Sequence, residues 1–195
     1  MDQGSRPIAA DLLATDHRVS FNQSNRISPG YRESGNNDQQ TKRETKIMLT
    51  IHTKLISAMI TQSLKDHPIE TCGIIAGLAG SNLPLRLIPM RNVAQSENFF
   101  MFDPQQQLQV WKEMSARHEE PVVIYHSHTG SEAYPSRSDV ELAAEPQAHY
   151  VIIPTCSPHK EEIRSFRIVD QMVIEERVQI VRQYQPELEF QMMVA

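Results

Sequence analysis

Val122-Val123-Ile124-Tyr125-His126-Ser127-His128, a turn-rich loop over residues 129–135, and then Ser136-Arg137-Ser138-Asp139 form the stretch from which the rest of the chain is read. The apolar run has the length and β-branched character of a strand. Side chains alternate along a strand, so His126 and His128 share one face and Ser127 takes the other. The seven-residue loop then returns a hydroxyl, Ser136, and a carboxylate, Asp139. Two imidazoles and a carboxylate can therefore converge on one point. Three N/O ligands leave a fourth position open, the ligand count of a catalytic zinc; a structural zinc is closed by four protein groups. Ser136-x-x-Asp139 ahead of Val140-Glu141-Leu142 also matches a helix capping box. The two readings are compatible, since Asp139 could bind metal at a helix start that Ser136 still caps.

The chain has 195 residues, 39% of them apolar, which suits one domain with a sizeable core. Lys and Arg total 19 against 24 Asp and Glu, and a net charge of -5 gives no electrostatic reason to expect nucleic acid or an anionic membrane as partner. The two cysteines, Cys72 and Cys156, lie far apart with no CxxC spacing, which fits a reducing cytoplasm. No apolar run approaches the length of a membrane span, and the N-terminus lacks the pattern of a signal peptide. A cytoplasmic, soluble protein is expected.

Residues 1–46 are rich in Ser, Asn, Gln, Gly, Asp and Arg, with short apolar fragments such as Ile8-Ala9-Ala10, and are expected to be a disordered extension. Their seven basic and six acidic residues leave -6 on the remainder of the chain. Met48 opens the first apolar strand-like run, so the extension reads as a regulatory tail or as a start placed too far upstream. A folded domain is expected over residues 47–185, with a tail over 186–195.

Within that domain, Leu55, Ile56, Met59, Ile60 and Leu64 recur at helical spacing over residues 52–66, ending before His67-Pro68. Glu70-Thr71-Cys72-Gly73-Ile74-Ile75-Ala76-Gly77 and residues 83–89 suggest a β-hairpin. Asp103 as N-cap and Pro104 at the first helical position predict a helix over 104–117, burying Leu108, Val110, Trp111 and Met114. A strand over 122–125, a short helix over 138–145 and strands over 150–153 and 163–169 follow. Ile163, Phe166 and Ile168 are candidate core positions, and residues 172–174 continue the meander. Residues 176–195 fit no element clearly. The order αββαβαββ predicts a mixed α/β sandwich.

Glu70 stands directly beside an apolar strand. Its plain reading is a solvent-exposed charge at a strand start. Its functional reading is a general base that takes a proton from water and passes it to a leaving amine. Cys72 lies inside an apolar run with nothing to lower its thiol pKa, so it reads as core. His149 and His159 read as structural or solvated.

Glu70, then His126-Ser127-His128, seven residues, Ser136, two residues and Asp139 together resemble the complete motif of the JAMM (MPN+) metallopeptidases, the family of deubiquitinating isopeptidases and their bacterial relatives. The strings His67-Pro68-Ile69-Glu70-Thr71-Cys72-Gly73, Glu132-Ala133-Tyr134-Pro135-Ser136-Arg137 and Ala148-His149-Tyr150-Val151 are similar to a bacterial branch that releases cysteine from a ubiquitin-like sulfur-carrier protein. The resemblance spans roughly residues 48–184. It implies a cytidine-deaminase-like three-layer α/β/α sandwich with a mixed sheet. It also implies Zn²⁺ held by His126, His128 and Asp139 with a water as fourth ligand, Glu70 activating that water, and Ser136 donating a hydrogen bond to the developing oxyanion. Two imidazoles and a carboxylate would also accept Mn²⁺ or Fe²⁺.

The implied reaction is hydrolysis after the C-terminal Gly-Gly of the carrier, releasing cysteine in cysteine biosynthesis, or a short extension. A variant is carrier processing for sulfur incorporation into a secondary metabolite. Phe99-Phe100-Met101-Phe102 reads as core, or as one wall of a groove where the Gly-Gly tail adds as a strand beside loop 129–135. Thr129 stands where many deubiquitinases have proline, which disfavours ubiquitin and suits the sulfur-carrier branch. From another class, a non-catalytic MPN scaffold usually lacks motif residues, whereas all five are present here. A nucleobase deaminase shares the fold but needs a His/Cys/Cys or Cys₃ zinc set. The absence of CxxC excludes it.

Overall fold

The elements follow the order αββαβαββ that the sequence suggests, with one further strand at each end. The computed structural model describes residues 48–156 and 163–184. The chain runs β1 (Met48–His52), α1 (Thr53–Asp66), β2 (Cys72–Leu78), β3 (Arg86–Met90), α2 (Pro104–Ala116), β4 (Glu119–His128), α3 (Arg137–Leu142), β5 (His149–Pro154), β6 (Arg164–Val169) and β7 (Met172–Val181). Asp103 caps α2 as its sequence position predicts, its carboxylate accepting from the Gln105 and Gln106 amides, with Pro104 in the first turn. The extension over residues 1–46, the tail from residue 186 and His159 lie outside the described residues.

The strands form one seven-stranded sheet in the order β1-β7-β6-β5-β4-β2-β3. β4 pairs parallel with β5, and β1 parallel with β7, while the other neighbours are antiparallel, so the sheet is mixed. The expected β2–β3 hairpin forms. α1 packs Ile56 and Met59 against Ile75, Val123, Tyr125, Val151 and Ile153 on one face of the sheet. α2 packs Val110 and Met114 against Cys72, Ile74, Ala76 and Met90 on the other. The result is the expected three-layer α/β/α sandwich. Among the described residues no helix is long and apolar enough to cross a membrane.

Several boundaries and faces differ from the sequence reading. β4 is ten residues long, and both histidines lie inside it because β5 pairs with them as far as His128↔Pro154. α3 runs Arg137–Leu142, starting one residue before and ending three before the expected 138–145. Leu108 is 58% exposed, so α2 buries a narrower stripe than its apolar residues suggest. Residues 176–181, which fitted no element, are the second half of β7 and zip onto β1 from Arg177 to Val181. Their Glu176-Arg177 start obscures a strand pattern because Glu176 is buried against charged partners. Its carboxylate meets His149 Nδ1 at 2.5 Å, Arg167 Nε at 2.7 Å and Ser165 Oγ at 2.9 Å. Arg167 also donates to His149 Nε2 at 2.9 Å and to the Gln147 carbonyl. His149 is therefore structural, as expected, and knits β5, β6 and β7 together.

Candidate metal centre

Strand pairing places the site. Cys72 is opposite His126 in the antiparallel β2–β4 ladder. Extending that register by two residues sets Glu70 opposite His128, and period-two alternation puts all four side chains on the α2 face. Ser127 takes the other face, where its Oγ accepts the Thr71 amide at 2.8 Å and its own amide donates to the Thr71 carbonyl at 3.0 Å. That reciprocal pair continues the ladder to the doorstep of Glu70. On the same opposite face, a Cβ on Gly73 would lie 2.3 Å from Tyr125 Oη, so only glycine admits the Tyr125 ring there.

The second half of the site comes from the start of α3. Ser136 Oγ accepts the Asp139 amide at 3.2 Å, and Asp139 Oδ2 accepts the Ser136 amide at 2.7 Å, a full capping box. The same Asp139 Oδ2 stands 3.4 Å from His126 Nε2 and 3.5 Å from His128 Nε2, and the two imidazole nitrogens are 3.1 Å apart. Both readings of Ser136-x-x-Asp139 hold at once. Ligands about 2.0–2.1 Å from a tetrahedral zinc are about 3.3 Å from one another. The three atoms already have that spacing, and they are the only His/Cys/Asp/Glu group among the described residues arranged to hold a metal ion.

Each ligand is oriented by a different neighbour. His128 Nδ1 lies 2.8 Å from the Glu132 carbonyl, and as the donor there it leaves the Nε2 lone pair for the centre. His126 Nδ1 is buried with no hydrogen-bond partner among the described residues. Its ring is set instead by Phe100, stacked at a centroid distance of 4.5 Å and an interplanar angle of 26°. Phe100 thus has a place in the site that reading it as core or groove wall did not reveal.

The electrostatics divide the carboxylates into two kinds. Glu70 is only 4% exposed, so its reading as a solvent-exposed strand-start charge is overturned. Burial raises its carboxyl to about 7, with the His128 charge pulling down and the Asp139 charge pushing up. Burial would raise Asp139 too, but the His126 and His128 imidazoles beside it outweigh that and hold its carboxyl far below the usual range. Asp139 is thereby favoured as the anion that metal binding requires. Glu70 is poised to gain and lose a proton near neutrality. Cys72 is core as expected, fully buried, with burial pushing its thiol up to about 12.

The centre stands between two recesses. An apolar cavity of about 310 Å³, lined by Phe100, Phe102, Trp111, Ile124 and Tyr150, opens onto His126 and Asp139. A polar cleft of about 390 Å³ brings Glu70, Glu97, Thr129, Ser131 and Ser136 around His128. All five residues singled out in the sequence therefore meet here. Thr129 contributes something a proline would not: its hydroxyl donates to the Glu97 carbonyl at 2.6 Å, tying loop 129–135 to the opposite wall.

Residues 52–169 match the family of prokaryotic homologs of the JAB domain. The chain belongs to that family. This JAB-domain chain is 51% identical over 143 residues to the CysO-cysteine peptidase of Mycobacterium tuberculosis, covering 73% of this chain and 98% of that relative. It shares 32% identity over 94 residues with the desampylase of Haloferax volcanii, covering 48% of this chain and 66% of that protein. The solution structure of a Desulfitobacterium hafniense protein shares the JAB-domain chain's fold, with a TM-score of 0.61 and 27% identity over 73% of this chain and 98% of that one.

Proposed function

We propose that this chain is a zinc-dependent peptidase that hydrolyses the bond after the C-terminal Gly-Gly of a ubiquitin-like sulfur carrier, releasing cysteine. The observation that carries the reading is the spacing of His126 Nε2, His128 Nε2 and Asp139 Oδ2 at 3.1–3.5 Å, with a buried Glu70 beside them. The substrate is supported by the 51% identity to a CysO-cysteine peptidase over 98% of that relative.

His126, His128 and Asp139 would hold Zn²⁺, which when bound lowers the pKa of a coordinated water and polarises the scissile carbonyl. Glu70, with its carboxyl near 7, takes the proton from the attacking water and delivers it to the departing amine. Ser136 accepts the Asp139 amide through its Oγ and lies 3.0 Å from Ser138 Oγ; with Ser138 as the donor of that pair, the Ser136 hydroxyl proton is free for the oxyanion. Such a donor is worth about 3 kcal/mol in the transition state. The two recesses give an extended tail and a released amino acid separate approaches to the centre. We assign the catalytic domain to residues 47–185. Cysteine biosynthesis in a reducing cytoplasm suits the two free cysteines, Cys72 and Cys156.

The test is incubation of zinc-loaded protein with a carrier–cysteine adduct, followed by mass spectrometry. The carrier should lose the mass of one cysteine, and Glu70→Gln should abolish the loss while retaining metal. An active Glu70→Gln protein refutes the mechanism. A panel of carriers with other extensions beyond Gly-Gly distinguishes cysteine release from processing for a secondary metabolite.

A further inference from the structure

Asn92 lies outside the five-residue motif, yet its side chain touches both halves of the site's support. It is buried, and all four of its amide hydrogen-bonding positions are used. Nδ2 donates to the Glu70 carbonyl at 2.9 Å and to the Phe99 carbonyl at 3.1 Å. Oδ1 accepts the Ala94 amide at 3.0 Å and the Met101 amide at 3.1 Å. Two carbonyls on one end and two N–H groups on the other fix which atom is nitrogen and which oxygen. Phe99 C=O and Met101 N–H belong to the two peptide units that flank Phe100. One side chain thus grips the backbone of Glu70 and brackets the ring that stacks on His126.

We infer that Asn92 is a positioning residue that fixes the base Glu70 and the His126-stacking Phe100 in one frame. The inference rests on the role proposed above for Glu70. The segment around Asn92 is tied down at further points that make the frame rigid. Val93 N–H donates to the Met101 carbonyl at 2.9 Å, and Asn92 and Phe102 form an antiparallel bridge. Glu70 N–H donates to the Ser96 carbonyl at 2.9 Å, so both backbone polar groups of Glu70 are held by this one segment. Thr129 Oγ1 closes the far side on Glu97. The β2–β4 ladder sets which face Glu70 occupies, but the last backbone groups before the catalytic carboxylate have no strand partner. Asn92 and Ser96 supply one. A displacement of about 1 Å of a catalytic group costs about 100-fold in rate.

Asn92→Ala removes all four bonds. Asn92→Asp keeps both acceptor bonds, to Ala94 and Met101, and loses both donors, to Glu70 and Phe99. Each variant is loaded with zinc and assayed with the carrier–cysteine adduct, and rates are expressed per folded, zinc-containing molecule. Both should lose about 10- to 100-fold in kcat with KM within about 3-fold. Asn92→Asp turns a carboxylate oxygen toward the Glu70 and Phe99 carbonyls and should melt below wild type, as Asn92→Ala does, so the rate per folded, zinc-containing molecule is what separates rate loss from stability loss. A purely structural residue leaves kcat per zinc-loaded molecule unchanged, and kcat within about twofold of wild type in either variant overturns the inference. If neither variant folds, amide exchange on the wild-type protein decides. The Ala94 and Met101 amides should exchange as slowly as those of β2, and free exchange overturns the clamp. Glu70→Gln is assayed alongside. Its activity would refute the base assignment, whereas an inactive Glu70→Gln beside fully active Asn92 variants refutes only the clamp.

Discussion

Glu70 lies opposite His128 because Cys72 pairs with His126 across β2 and β4, and Glu70 and His128 each stand two positions further along. A carboxyl and an imidazole 58 residues apart in sequence are thereby set side by side by backbone pairing alone. The same pairing removes Glu70 from water and raises its carboxyl to about 7.

That shift has a cost in the metal-free protein whose sign is fixed. The folded pKa of about 7 lies above the ordinary 4.5, so burial of Glu70 costs nothing below 4.5, destabilises increasingly between 4.5 and 7, and costs its full amount above 7. Glu70→Gln should therefore make chelator-treated protein more stable near pH 8, on the order of 2 kcal/mol, with the gain shrinking toward pH 5. Urea unfolding at both pH values checks this. An equal effect at the two would show that the carboxyl is not held protonated by the fold.

Asp139→Asn separates the two jobs of that residue. An asparagine Oδ1 can still accept the Ser136 amide, so the start of α3 and the far-ultraviolet circular dichroism should be retained. Zinc affinity should fall by more than about 100-fold, because an anionic ligand is replaced by a neutral amide. Zinc content after dialysis against a competing chelator measures it.

Phe100→Ala should loosen His126, whose Nδ1 has no partner among the described residues to hold the ring. The expected result is zinc affinity about 10-fold weaker, the lower end of what loss of a ligand-orienting neighbour costs. Phe100→Tyr, which keeps a ring to stack, should bind zinc within about 3-fold of wild type. Competitive zinc titration of both variants distinguishes the stacking role from simple bulk.

Glu176 bonds to His149, Ser165 and Arg167 and to none of the five site residues, and should matter for stability only. Glu176→Ala strands Arg167 in the interior without its carboxylate, at a cost of about 3–5 kcal/mol. The double change with Arg167→Met should recover at least half of that. Denaturant unfolding of the single and double variants is the check, and zinc-loaded enzyme that remains folded should retain its kcat.

Much of the site was readable because its geometry is local. His126 and His128 share a face by strand period, and Ser136 and Asp139 are joined by a one-turn capping box whose spacing is visible as text. Asn92 was not readable in this way. Its bond to Ala94, two residues on, is what any asparagine at a turn makes, and nothing nearby announces Glu70 or Met101 as further partners. Glu176 was hidden for a related reason. A charge in a strand counts against burial until its partners are known, and here they are His149 and Arg167 on two other strands.

By itself the sequence determined the face that His126 and His128 share, the caps of α2 and α3, and the alternation of helices and strands. These depend on spacings of one to four residues, which backbone geometry fixes. Only the tertiary structure decided that Glu70 is buried beside His128, that Phe100 orients His126, and that residues 176–181 complete the sheet against β1. Those outcomes depend on which segments meet across the fold. Long-range pairing and the burial it imposes are set by the packing of the whole domain.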